Sequence, residues 1–300
     1  MPKLTAFTFQ GGGARGAGST AAALRRVISD GNEPTIITGE SIGAAVALIA
    51  AVRGFADAVR MWGDGSINPG VIYAGWKPLR ALGVLLGKTR GIYDMSPALD
   101  SLERLTSGLR IPASTLVIVT VTDLFTGRRE DNLLTADTPM SSCVEKVYQS
   151  CLVPVAHGAR DGRWADGGIS ASAPLEIPVR YGATKVDVFL TERLGTSSWS
   201  GGKPLDEAAR AITVLRENLF LRDLEATERV NIAPTGSERR VTARLHEPEE
   251  IVGGWMDFKP ETLRKWLAVK YRPWGLRQAI LESHRRNGTL PPAWMNPPSQ

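Results

Sequence analysis

The sequence predicts an α/β fold, a parallel sheet with helices on its faces. Three observations carry the prediction. Short apolar runs at 4–9 and 35–38 lead into glycines, an Ala-rich stretch follows each of them, and two further buried-type strands occur at 116–122 and 185–191. A β-α-β-α opening needs crossover connections, and such connections build parallel sheets covered by helices. Three hundred residues suffice for one large core or two modest ones.

Each element has its own local reason. Leu4 to Phe9 is short, apolar and closed by glycines, as a strand should be. Ala17 to Ile28 is rich in Ala and Leu and predicts a helix; Thr35 to Thr38 is a second, β-branched strand. Ile42 to Val52 is so apolar that its helix would be buried on most faces. Residues 62–93 mix Gly, Pro and Trp around an apolar patch, Leu79 to Leu86, and predict a lid-like insertion with a short amphipathic helix. Trp62, Tyr73, Trp76, Leu79, Leu82, Leu85 and Leu86, edged by Lys77, Arg80, Lys88 and Arg90, would suit a lipid interface or a cover over the core.

Met95 to Thr106 predicts a helix with Ser96 as N-cap before Pro97. Leu116 to Thr122 and Lys185 to Thr191 are core strands, Val144 to Leu152 a helix, Leu205 to Glu228 a long amphipathic helix, and Arg240 to Leu245 an alternating strand. From Phe258 onward the chain is basic and partly helical, and it ends in a Pro-rich segment. Trp255, Trp266, Trp274 and Trp294 are interleaved there, a pattern that suits anionic headgroups or nucleic acid. The plainer expectation is a solvated basic face with the tryptophans packed on the core, and no nucleic-acid partner. The expected division is 1–250 as a catalytic domain, with the insertion at 62–93, and 251–300 as a helical extension packed on it.

The formal charge of +5 tilts the chain toward anionic partners such as lipid headgroups. Two cysteines, Cys143 and Cys151, make no disulfide framework; they are expected as buried thiols in a reducing compartment. The opening MPKLTAF lacks the charge and apolar run of a signal peptide, and no run is long enough to cross a bilayer. The expected location is cytoplasmic or peripheral to a membrane.

Chemistry concentrates in three short motifs. Gly11-x-Gly13-x-x-Gly16 follows a strand and opens a helix, the context of a dinucleotide site, and Glu40 lies where a ribose-binding acid would be sought. Gly39-Glu40-Ser41-Ile42-Gly43, however, is G-x-S-x-G in strand–turn–helix context, a nucleophile elbow. With Ser41 as nucleophile, the N–H groups of Gly11, Gly12 and Gly13 become candidate oxyanion donors, each worth roughly 10²–10³ in rate. His157, His246 and His284 are the available histidines; His246 and His284 sit in polar surroundings that predict surface positions. The other candidate base is Asp166, followed by Gly167 and Gly168, which let a carboxylate approach closely; in a dry site its pKa rises toward that of a useful base. No His/Cys/Asp cluster has metal-ligand spacing, and no cofactor or metal is expected.

Taken together, GGGARG, GESIG and DGG resemble the patatin-like phospholipase family in order and spacing. The resemblance continues through TVTDLFTGR, SCLVPV, APLEIPVRYGATKVDVFL and MDFKPETLRKWLAVKY, and so over most of residues 4–275. It implies a three-layer α/β/α sandwich around a mainly parallel sheet and a lipid acyl hydrolase of the phospholipase A or lysophospholipase type. It implies a Ser41–Asp166 dyad without histidine, an oxyanion hole at Gly11, Gly12 and Gly13, and supporting roles for Arg15, Gly39, Gly43, Gly167 and Gly168. The implied partners are a phospholipid or other acyl-lipid substrate and an anionic membrane. Two departures stand out: Gln10 replaces an acid before the glycines, with little effect expected, and Glu40 replaces a small polar residue, an alteration expected at the pocket rim. The competing readings are a dinucleotide-binding protein using Gly11, Gly13 and Gly16, and a non-catalytic lipid-binding module.

Overall fold

The structure, a computed structural model, describes residues 4–74, 80, 83–84, 86–154, 156–195, 204–232 and 240–295. Trp76, Lys77, Leu79, Leu82 and Leu85 of the expected insertion lie outside the described residues, as does the Pro-rich end past 295.

The chain opens with β1 (Leu4–Phe9), α1 (Gly16–Asp30), β2 (Ile36–Glu40), α2 (Ile42–Arg53) and α3 (Phe55–Gly63). A short α4 (Pro69–Ile72) and α5 (Ser96–Thr106) precede β3 (Leu116–Asp123), β4 (Arg128–Leu134) and α6 (Met140–Ser150). Then come β5 (Trp164–Asp166), α7 (Glu176–Arg180), β6 (Ala183–Phe189), α8 (Pro204–Ile232), β7 (Thr242–Pro248), α9 (Pro260–Ala268), β8 (Tyr271–Gly275) and α10 (Leu276–Asn287).

Among the described residues the strands form one sheet of eight, in the order β4-β3-β2-β1-β6-β7-β8, with β5 also paired to β3. The central pairs β3–β2, β2–β1, β1–β6 and β6–β7 are parallel, while β4, β5 and β8 run antiparallel to their neighbours. Strand residues alternate between two cores because successive side chains leave opposite faces. Phe7, Phe9, Ile37, Val117 and Val119 face one core, packed with α1, α2, α3, α6 and α9. Ala6, Ile36, Ile118, Val186, Val188 and Leu245 face the other, packed with α7, α8 and α10. This is the expected α/β/α sandwich, and covering both faces is why the central strands are apolar throughout.

Four expectations are corrected. Ser96 is the first residue of α5 and makes no cap; its N–H donates instead to Asp94 Oδ1 at 3.0 Å. Trp62 is buried at the end of α3 and donates its Nε1–H to Thr20, so it is no interfacial residue. His246 and His284 are buried, because each finds a carboxylate: Asp187 Oδ1 at 2.6 Å and Glu225 Oε1 at 2.7 Å. Residues 271–275 form an edge strand although they read YRPWG; proline is tolerated there because an edge leaves N–H groups unpaired.

Candidate active site

Sheet register brings the candidate residues together. Strand β2 ends with Glu40 beside Thr120 of β3, and β5 occupies the next slot along that edge, with Asp166 beside Val121. The carboxyl therefore arrives where the chain turns away into Ser41. Strand β1 lies beside β2, so its exit at Gln10 faces the same point. The chain leaves β1 toward β2 and β3 on one side and returns as β6 on the other, and ligands of open α/β sheets bind at such switch points.

Ser41 adopts φ 56° and ψ −131°, a backbone conformation that non-glycine residues seldom take. Its N–H donates to Ser150 Oγ at 2.9 Å, and Ser150 donates in turn to Thr120 O at 2.6 Å, which pins the turn to β3. The glycines are sterically required. A Cβ on Gly39 would stand 2.3 Å from the Gly43 carbonyl, and one on Gly43 would stand 2.3 Å from the Phe9 oxygen. A Cβ on Gly167 would meet the Thr120 oxygen at 2.1 Å.

The glycine turn abuts the elbow, since a Cβ on Gly11 would lie 2.8 Å from Ser41 Cβ. Gly11, however, donates its N–H to Glu40 Oε1 at 2.9 Å. The N–H groups of Gly12 and Gly13 have no protein acceptor among the described residues. Gly13 has φ 59° and carries the Trp255 carbonyl within 2.0 Å of where a Cβ would be; Gly12 is equally tight against Thr191. Arg15 points away from the pair and bonds Glu192 at 2.8 Å, holding the turn from outside. Gln10 is buried: its Oε1 accepts the Thr191 N–H at 2.8 Å and its Nε2 donates to Ser172 at 3.0 Å. It thus ties the ends of β1 and β6 to the loop after Asp166, a larger part than the sequence suggested.

Asp166 is buried, and its Oδ1 accepts the Gly168 N–H at 2.8 Å. Burial raises its pKa, against the opposing pull of the Ser41 hydroxyl, Arg216 and the Gly168 N–H. Among the described residues Oδ2 accepts no hydrogen bond.

Glu40 is not at the rim. It is fully buried beneath the turn, where Oε1 accepts from Gly11 and, at 3.1 Å, from Ala173. Arg216 of α8 approaches that oxygen at 3.7 Å and donates to Gly11 O at 3.4 Å. Burial pushes Glu40 up to about 7, the Asp166 charge adding to it and Arg216 opposing it. Sequence inspection missed Arg216, one of several arginines on a long helix with nothing local to single it out. Cys151 donates Sγ–H to Ser41 O at 3.1 Å, and burial with the Asp166 charge raises its thiol out of the reactive range.

From Ser41 a cleft of about 1000 Å³, counting its mouth open to solvent, runs along α2 past Ile42, Ala45, Val46 and Ile49. Trp62, Trp255 and Phe258 supply aromatic walls, and the lining is almost wholly apolar. Of the three histidines only His157 lines it; burial lowers its pKa to about 4, so it is neutral near pH 7. At the Cβ positions of Gly12 and Gly13 the space is filled by Thr191 and Trp255, and Glu40 is fully buried, away from any ribose. Among the described residues no His/Cys/Asp/Glu cluster is placed to hold a metal, and no helix is long and apolar enough to cross a membrane.

A family model described as Patatin-like phospholipase matches residues 7–179, more than half of the chain. No curated protein matches the sequence. Among solved structures, the chain is similar to VipD from Legionella pneumophila at 12% identity and a TM-score of 0.39, covering 91% of this chain and 68% of that one.

Proposed function

The chain belongs to the patatin-like phospholipase family, a family of lipid acyl hydrolases, and on that premise we propose that it cleaves fatty acyl esters of phospholipids or lysophospholipids through a Ser41 acyl-enzyme. Ser41 attacks the ester carbonyl while Asp166 takes the hydroxyl proton. The developing oxyanion rests on the N–H groups of Gly12 and Gly13. The alcohol leaves with the proton, and water deprotonated by Asp166 releases the fatty acid from the ester with Ser41.

One observation carries this reading: the slot past the end of β2 is filled by Asp166, and the apolar cleft opens at the serine that the same slot faces. A long alkyl chain gains about 0.8 kcal/mol per methylene buried in such a cleft. Nothing in the dyad calls for histidine, and the neutral, half-buried His157 stands apart from the proton path proposed.

The substrate's source is an anionic phospholipid bilayer. The hairpin tip between β3 and β4 exposes Leu124 and Phe125, the latter 76% accessible, at the sheet edge to which β2 delivers Ser41. Arg163 stacks on Phe125 and Arg128 is exposed beside it. Exposed aromatics next to arginine match an acidic headgroup layer.

Fluorophosphonate labelling tests the mechanism. Wild type should label, Ser41→Ala should not, and Asp166→Asn should lose turnover while unfolding as cooperatively as wild type. Tight binding of NAD or ATP by calorimetry, without labelling, would favour the dinucleotide reading instead.

A further inference from the structure

Two buried carboxyl groups and one guanidinium meet behind Ser41. Glu40 on β2 is fully buried and Asp166 on β5 is buried, and among the described residues neither Glu40 Oε2 nor Asp166 Oδ2 has a hydrogen-bond partner. Arg216 reaches in from α8, with Nη2 3.7 Å from Glu40 Oε1 and its guanidinium lying over Gly168, where a Cβ would stand 3.4 Å from Cζ. Its Nε is also buried without a hydrogen-bond partner among the described residues. Such groups are costly to bury unless their charges balance.

We propose that Glu40 and Arg216 are a positioning pair for the dyad: Arg216 holds Asp166 in its ionised, proton-accepting form, and Glu40 fixes the glycine turn against the Asp166 loop while sharing the guanidinium. The proposal rests on the serine-hydrolase reading above. It follows from where the bonds go. Glu40 Oε1 joins Gly11 of the turn to Ala173 of the loop after Asp166, so one atom sets the spacing of the two halves of the site. Arg216 donates to Gly11 O and faces both acids.

The groups facing Asp166 are Glu40 from β2, Arg216 from α8, the Ser41 hydroxyl from the head of α2 and the neutral Cys151 thiol after α6. Those facing Glu40 are Arg216, Asp166 and the two N–H donors. Removing Arg216 penalises ionised Asp166, whereas Glu40, protonated below about pH 7, carries no charge on the acid limb and acts through the bonds it accepts from Gly11 and Ala173. A cation at this range lowers a neighbouring acid by roughly 1–3 pH units, and the coupled pair titrates as one system.

The test is the pH dependence of kcat/KM on p-nitrophenyl butyrate for wild type, Glu40→Gln, Arg216→Gln and Arg216→Lys, with thermal unfolding of each. Arg216→Gln should move the acid limb to higher pH by about one unit, a roughly tenfold loss on that limb. Arg216→Lys should return the limb most of the way, and Glu40→Gln, neutral like the protonated acid it replaces, should not displace it. If folded Arg216→Gln loses rate without moving the limb, the pair is only structural and the proposal falls. Should Arg216→Gln fail to fold, the lysine profile decides: a limb displaced by a fraction of a unit to higher pH supports the proposal, and a lost rate with an unmoved limb overturns it. Labelling of wild type but not of Ser41→Ala separates these outcomes from failure of the serine mechanism itself.

Discussion

Ala45 stands one helical turn from Ser41 on the α2 face that lines the cleft, and replacing it by tryptophan should convert a long-chain site into a short-chain one. Four residues at 1.5 Å each place Ala45 about 6 Å from the nucleophile, and Ile49 about 12 Å. An extended alkyl chain advances about 1.3 Å per carbon, the projection of a bond of roughly 1.5 Å. A butyryl group therefore ends above Ala45, whereas a decanoyl group reaches Ile49. Blocking the cleft at Ala45 leaves about five methylenes outside, a loss of about 4 kcal/mol at 0.8 kcal/mol each. That corresponds to as much as a thousandfold in kcat/KM for decanoate against butyrate. The assay is a p-nitrophenyl ester series from acetate to decanoate on wild type and Ala45→Trp, with urea unfolding to show that both fold. Equal loss at every chain length in a folded variant, or an unchanged preference, would refute the assignment of this cleft to the acyl chain.

Gly43→Ala should destabilise the protein by about 3 kcal/mol or more, since its Cβ would lie 2.3 Å from the Phe9 carbonyl oxygen; the urea midpoint measures it. Glu40, ordinarily near 4.5 but pushed to about 7, stays protonated in the folded state while the unfolded chain ionises. Its contribution to stability therefore falls as pH rises from 4.5 to 7, so Glu40→Gln should gain on wild type by up to about 3 kcal/mol across that window, read from unfolding midpoints at each pH. His157 runs the other way: held to about 4, it resists the proton that the unfolded chain takes up below 6.5. His157→Gln should gain on wild type as pH falls from 6.5 to 4 by a similar amount, in the same measurement. Phe125→Asp should reduce co-sedimentation with phosphatidylglycerol vesicles several-fold, and undiminished sedimentation would remove the hairpin tip from the membrane contact.

The parts legible in the sequence are those whose cause is local. Gly39, Gly43 and Gly167 announce themselves because a backbone atom occupies the place of a side chain, and only one residue type answers that constraint. The central strands are apolar because both their faces are covered, so β1, β2, β3 and β6 could be found from composition alone. The edge strands could not. Residues 128–134, RREDNLL, and 271–275, YRPWG, carry the charges and proline that keep an edge from pairing with another chain, which is the opposite of a strand's usual appearance.

Buried charge was the other blind spot, for a related reason. His246, His284, Glu40 and Arg216 all resemble surface residues in isolation, because polarity marks exposure unless a partner is supplied from elsewhere in the chain. The partner of Glu40 lies 176 positions away on α8. What the sequence does offer is the oddity itself: an acid placed immediately before the nucleophile, at the end of an apolar parallel strand that delivers it into the interior. A charge at such a position must be neutralised by a proton or by a cation. The catalytic aspartate faces the same requirement a few residues away, so a single guanidinium serving both is the economical solution, and the acid–base behaviour of the site becomes a property of the trio.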